Sequence, residues 1–339
     1  MDIGSEQGLA MVRVRLLLML AGFWGLVLLT AGGPARAGAF CRDAAVDRDV
    51  GLAAHDKLDV ASLSALSQRF DDTALPDPGC GDRVAHCVGL KLSLAFVDRA
   101  YGLLGQDPPD MAGARTLLQK GKAQGGPWQL LVALGDVEAA LARQTNDTTL
   151  YRSAASNLQF ALNQIVEPPL CSAFGEIRPT GEELTRVRRR AQEAVMLSPH
   201  FEIARTRAGE CGGIFLDTTR GVDVEPVPVP ITFEYDKAVL TDEGKKAASA
   251  LLECLKSKSL TEITLSGHTD LHGGDAYNMD LSARRLSAVQ ALLKAGGYAG
   301  VVHLVPKGKR EPFQPDDPGQ HSQAEIDQLN RRVELREIH

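Results

Sequence analysis

The chain has 339 residues, 44% of them hydrophobic and 24% charged, with a formal net charge of -6. That length and apolar content suffice for two modest domains with buried cores. The acidic balance leaves no dominant basic face to displace phosphate counterions, which excludes nucleic acid as the main partner.

At the N-terminus, Arg13 and Arg15 precede an apolar run from Leu16 to Leu29, and "TAGGPARAGAF" then offers an A-x-A site at Ala35 to Ala37. This is the pattern of an export signal, residues 1–37, removed after Ala37. The competing reading is an uncleaved anchor, but Leu16 to Thr30 is only 15 residues, short of the roughly 20 that cross a bilayer. Phe40, before Cys41, stands where a lipoprotein signal wants a small residue. All six cysteines, Cys41, Cys80, Cys87, Cys171, Cys211 and Cys254, lie beyond the cleavage site. An even number in a chain sent to an oxidising compartment predicts disulfides. The five upstream cysteines are expected to supply two bridges, with Cys171 to Cys211 the favoured pair. Cys254, in "ALLECLKS", reads equally as a buried thiol.

From Ala44 to about Phe215 the apolar spacing is helical, as in "DVEAALARQ", "LYRSAASNLQFALNQI" and "ELTRVRRRAQEAVML". Breaks fall at "GQDPPD" (105–110), "GGP" (125–127), "EPP" (167–169) and "LSPH" (197–200). Helical hairpins follow, either a tetratricopeptide-like array or a non-repetitive bundle. The "RVRRR" run from Arg186 to Arg190 reads as a solvated helix face, with Glu182 and Glu183 at hand as partners. Composition then changes at "DVEPVPVPITFEY". Prolines alternating with valines make an extended, stiff segment without paired strand. The expected division is residues 38–218 for a helical domain, 219–230 for a linker and 231–339 for a second domain.

In that second domain "ITFEY" alternates as a half-buried strand through Ile231, Phe233 and Tyr235. A helix follows, with Thr241 as N-cap and Ala248, Leu251, Leu252 and Leu255 as its buried stripe. "EITLSG" is a strand, "LSARRLSAVQALLKAGG" a helix, and "VVHLVPKG" and "RRVELREI" are strands. The class is α+β, an all-helical N-terminal region followed by a β-α-β-α-β-β sandwich with its helices on one face.

The second helix sets two adjacent arginines in different surroundings. At 100° per residue, Leu281, Arg285, Ala288, Val289 and Leu292 share one side, while Arg284 clusters with Asp280, Ser287 and Ala291. A guanidinium at the edge of an apolar stripe needs an anion, since breaking a buried pair costs about 3 to 5 kcal/mol. Asp270, where "EITLSGHT" opens into "LHGGDAYN", is the nearest candidate. Either the two neutralise each other, or they flank a zwitterion, Asp270 taking an ammonium and Arg285 a carboxylate. Thr269 and Asn278 add neutral hydrogen-bonding groups, and the helix N-terminus after Asp280 offers free backbone NH groups.

"GHTD", "YNMDLSARR", "PKGKREPF" and "LNRRVEL" occur in that order and resemble the OmpA-like peptidoglycan-binding domain over residues 230–339. The resemblance implies that Asp270 and Arg285 hold the diaminopimelate end of a peptidoglycan stem peptide, with Asn278 and Thr269 beside them. It also implies that Arg331 or Arg332 adds a carboxylate contact. Two departures stand out: Leu286, where the family usually has alanine, and an acidic, loop-like stretch between Phe313 and Leu329, which could bear on affinity or peptide preference. No outer-membrane barrel is expected, because the upstream half lacks roughly ten-residue alternating strands.

The expected function is therefore noncovalent wall binding in the periplasm, with the outer membrane as a candidate location and the helical half gripping an envelope protein partner. No cofactor is expected. A metal site through His268, Asp270, His272 and Asp275 is disfavoured, because Gly273 and Gly274 turn the loop and no second ligand cluster accompanies it. A wall hydrolase is the enzymatic rival, but no nucleophile elbow or "HExxH" stands in the helical half. A stator-like protein that keeps its N-terminal segment as an inner-membrane anchor is the other.

Overall fold

A computed structural model of the chain describes residues 60–61, 63–65, 80–166, 179–198 and 227–337. The export signal, the Cys171 to Cys211 pairing and most of the 219–230 linker lie outside the described residues. The chain divides into two compact units, residues 1–133 with 168–177, and residues 134–167 with 178–339. No described helix is long and apolar enough to cross a membrane.

The first unit contains α1 (Cys80–Leu104), α2 (Met111–Ala123) and the start of α3 (Trp128–Thr145). The "GQDPPD" break ends in Asp110, whose carboxylate caps α2 by accepting from the Gly113 backbone NH at 2.8 Å. Buried Ser93 donates to the carbonyls of Gly89 (2.9 Å) and Gly121 (2.7 Å), joining α1 to α2. A Cβ at Gly121 would come 2.4 Å from Leu130 Cδ1 and 3.0 Å from Phe96 Cβ, so α2 packs closely against α1 and α3 at this glycine.

The second unit holds the rest of α3, then α4 (Thr149–Val166) and α5 (Gly181–Leu197). The buried Asn157 amide donates to Glu138 at 2.8 Å, tying α4 to α3. Thr180 and Glu183 form a reciprocal capping box at the start of α5. The helical reading of this half holds for the described residues: the breaks at 105–110 and 125–127 fall where proline and glycine place them, a further break at 146–148 turns on Asn146 at φ 56°, and "EPP" and the end of "LSPH" lie outside the described residues.

The same unit continues with β1 (Val227–Val229), α6 (Asp242–Ser257), β2 (Glu262–His268), α7 (Asp275–Ala295), β3 (Val301–Gly308), α8 (Gln323–Asn330) and β4 (Val333–Glu337). The sheet order is β1-β4-β2-β3, with β2 and β3 parallel and β4 antiparallel to both its neighbours. Thr241 caps α6 by accepting from Gly244 NH at 3.0 Å, and Ala248, Leu251, Leu252 and Leu255 are buried. Helix α7 lies against β2 so closely that a Cβ on Gly267 would come 2.8 Å from Leu286 Cγ. Leu286 is fully buried there. Cys254, on the buried side of α6, is disulfide-bonded rather than a free thiol, and its pairing falls outside the described residues.

Two elements differ from the sequence reading. "ITFEY" is not a strand: Ile231 is buried, but Tyr235 is 89% exposed, and Phe233 makes only an isolated bridge to Leu240. This segment turns on itself, with Asp236 at φ 56° and Glu234 NH bonded to the Val239 carbonyl at 2.8 Å. Its backbone groups are thus used locally. The strand that pairs with β4 lies in the proline-valine run instead, Val227 opposite Leu335 and Val229 opposite Val333. An edge strand accepts Pro228 because only one of its sides must form a ladder.

The stretch between Phe313 and Leu329 is also not a simple loop. It holds a 3-10 turn, Pro318–Gln320, and α8, which begins with a capping box between Ser322 and Glu325. The signature S-x-x-E marks this helix start, and short length hid the rest of its period.

Candidate ligand-binding site

The site forms where β2 ends, because the backbone there is fixed from two directions. His268 NH bonds to the Arg332 carbonyl and Thr269 NH to the Gly308 carbonyl, both at 2.9 Å. Gly308 sits at φ +54°, and a Cβ there would come 3.0 Å from Met279 N. Only glycine combines that left-handed backbone with so close an approach to α7. Asp270 therefore leaves the sheet at a defined point. One carboxylate oxygen accepts from His272 NH at 3.2 Å, the other from Arg331 Nη1 at 3.0 Å.

Arg285 reaches the same region from α7. It is 5% exposed, its Nε donates to the Lys237 carbonyl at 3.0 Å, and its guanidinium lies 5.0 Å from the centre of the Phe233 ring. Among the described residues no carboxylate comes within 4.0 Å of it, so it is a buried cation without an ion pair. Burial pushes its pKa down, and the Asp270 carboxylate is the first of the influences opposing that. Asp270 and Arg285 thus stand near each other without closing. Arg284, one residue earlier, is exposed and pairs with Asp280 at 2.9 Å across one helical turn.

The polar surroundings shape the loop. Buried Asn278 donates its amide to the His272 carbonyl at 2.6 Å, and the Thr269 hydroxyl donates to the Asp270 carbonyl at 3.1 Å. Lys309 bonds to the Gly273 carbonyl at 2.9 Å and pairs with Asp275 at 3.1 Å. Helix α7 begins at Asp275 after Gly274, not after Asp280. Nothing in "DAYNMD" breaks a helix, so the NH groups that follow Asp280 lie inside α7 rather than at its open end. The buried stripe is also rotated, with Leu286 and Leu293 buried beside Leu281, Arg285 and Val289.

The two arginines of "NRR" separate. Arg331 joins the site through Asp270. Arg332 is 5% exposed and turned elsewhere, with Nε on Glu334 (2.7 Å), Nη2 on the Glu311 carbonyl (3.2 Å), and its guanidinium 5.4 Å from the Phe313 ring centre. The histidines separate as well. His268 is buried, with Nε2 at 3.3 Å from Glu334, whereas exposed His272 reaches Asp327 of α8 at 3.0 Å. Lys309 stands within "PKGKREPF" and His272 in the loop singled out from sequence, but the contacts of Lys309 with Gly273 and of His272 with Asp327 carried no sequence signal, because the partners lie 36 and 55 residues apart.

Residues 232–325 match the OmpA family, and this segment is an OmpA family domain. The chain is 37% identical over 105 residues to the peptidoglycan-associated lipoprotein of Pseudomonas aeruginosa, a match covering 31% of this chain and 59% of that protein. It is 33% identical over 114 residues to outer membrane porin F of the same organism, covering 33% of this chain and 31% of that one. The chain therefore spans less than two thirds of the length of either relative. A crystal structure of the peptidoglycan-associated lipoprotein from Burkholderia pseudomallei is 28% identical, with a TM-score of 0.27, covering 31% of this chain and 86% of that one.

Proposed function

We propose that this protein binds peptidoglycan noncovalently through the diaminopimelate end of a stem peptide, and so anchors its helical half to the wall within the bacterial cell envelope. One observation carries the reading: Arg285 is buried, open at its terminal nitrogens and unpaired, beside a carboxylate that stays separate from it. A largely buried charge without an ion-pair partner costs stability, and a binding site is what such an expense serves. The ligand's carboxylate meets Arg285 and its ammonium meets Asp270, with Arg331 at the outer side of that carboxylate. Asn278 and Thr269 hold the loop that presents Asp270. Arg332 belongs to the packing behind the site and is left out of the ligand set.

The OmpA family match and a relative named as peptidoglycan-associated support the ligand class. No bond is made or broken in this reading. The helical half is the cargo, and an envelope protein is its expected partner. Sacculus co-sedimentation tests the proposal: Asp270→Ala and Arg285→Ala should each leave the protein in the supernatant with an unchanged circular dichroism spectrum. Sedimentation of the double variant with sacculi would overturn the site.

A further inference from the structure

The stretch between Phe313 and β4 faces in two directions. Towards the helices, Arg190 of α5 donates to Asp136 (2.7 Å) and Asp316 (2.9 Å), and Glu193 accepts from the Asp316 NH at 2.7 Å. His321, almost fully buried, lies 3.2 Å from the other Glu193 oxygen. Arg143 donates to Gln320 at 2.8 Å, Tyr151 to Glu325, and Gln328 to the Met196 carbonyl at 2.8 Å. Towards the site, Asp327 holds His272 and Arg331, the C-cap of α8, holds Asp270.

Of these contacts, Glu325 and Gln328 on one side and Asp327 and the C-cap Arg331 on the other belong to the eight-residue α8, so these four act on one short element, with Asp316, Gln320 and His321 holding the segment that leads into it. Glu325 and Gln328, three apart, share the face turned to α4 and α5, while Asp327 and Arg331, four apart, share the face turned to the loop. Among the described residues, Arg331 is the side-chain hydrogen-bond partner of Asp270. Where the helices hold α8 decides where that guanidinium holds the carboxylate.

We propose that α4 and α5 position the binding site through α8, so that the helical half sets the affinity for the wall ligand instead of merely being tethered by it. This rests on the ligand reading above. Displacement of α5 from the 316–328 segment, by a partner protein or by mutation, shifts α8 and weakens the hold of Arg331 on Asp270. Coupling of this kind runs through a contiguous chain of contacts with one movable element.

The test uses the full-length protein and a soluble disaccharide-tetrapeptide containing diaminopimelate, with affinity measured by calorimetry. Tyr151→Phe combined with Gln328→Ala, both remote from the ligand, should weaken binding about fivefold, the low end of ordinary coupling between sites. Arg331→Met should weaken it at least as much, and Arg331→Lys should restore part of the loss. All three substitutions together should bind no more weakly than Arg331→Met alone, because residues acting through one contact are not additive. Unchanged affinity in the Tyr151→Phe, Gln328→Ala protein, or losses that multiply, would overturn the proposal. If that protein fails to fold, Glu193→Gln loosens the same interface and is read the same way. Wild-type affinity in Asp270→Ala would instead sink the ligand reading itself.

Discussion

Half-buried Arg190 and buried Arg285 are treated in opposite ways. Arg190 sits between two carboxylates, Asp136 and Asp316, and the Coulomb field of Asp136 raises its pKa despite burial. Arg285 has a backbone carbonyl and an aromatic ring for company, and burial lowers its pKa. A satisfied charge holds elements of the chain together. One that is left open can be satisfied from outside, which makes the incomplete arginine the informative one.

Breaking the satisfied one should have the larger effect on folding. Arg190→Met leaves Asp136 and Asp316 facing each other and is expected to cost roughly 2–3 kcal/mol in chemical denaturation. Its effect is moderated because Asp136 is 38% exposed. Arg285→Met should instead stay within about 1 kcal/mol of wild type, since it removes an unpaired charge and keeps apolar contact with Phe233. A larger destabilisation by Arg285→Met than by Arg190→Met would break the contrast.

Smaller changes sharpen it. Ser322→Ala deletes one half of the α8 capping box and should cost about 1 kcal/mol, seen as faster amide exchange in residues 323–330. His272 is held above its ordinary 6.5 by its hydrogen bond with Asp327, with Asp270 adding to the effect. A raised pKa means that the protonated form is favoured in the fold. The contribution of this contact is therefore complete below pH 6.5 and fades as pH rises through the raised value. An NMR titration should show His272 titrating above 6.5, and Asp327→Asn should move it back down. Last, Arg284→Ala removes an exposed pair with Asp280 and should change stability by less than about 0.5 kcal/mol, with wall binding untouched. Loss of binding in that variant would mean that the burial difference between the two neighbouring arginines is not what matters.

That difference is legible in the sequence, because helix geometry alone puts Arg285 with Leu281 and Val289 and puts Arg284 with Asp280. The helical half, α6 with its Thr241 cap, and the β2-α7-β3 succession are legible for the same reason: each is a local period ended by a local breaker. The "RVRRR" run shows the limit of that method. Arg186 does pair with Glu182 one turn away, at 2.6 Å on an exposed face, as a solvated run would. Arg190, in the same run, is instead an interface residue, and its partner Asp316 lies 126 residues further on. Spacing within a helix cannot announce such a partner. Pairing of Val227–Val229 with β4 is hidden in the same way, behind prolines that disfavour a strand unless the sheet edge is where it goes.

By itself, then, the sequence determined the class of each half, the glycine-hinged loop after β2, and the candidates Asp270 and Arg285, since short-range periodicity and turn chemistry are properties of neighbours. Tertiary structure decided which charges meet. It gave Asp270 to Arg331, turned Arg332 to Glu334, and drew the acidic stretch onto α5. Those choices depend on burial and on groups distant in sequence, and a charge excluded from water accepts whichever partner the fold brings within reach.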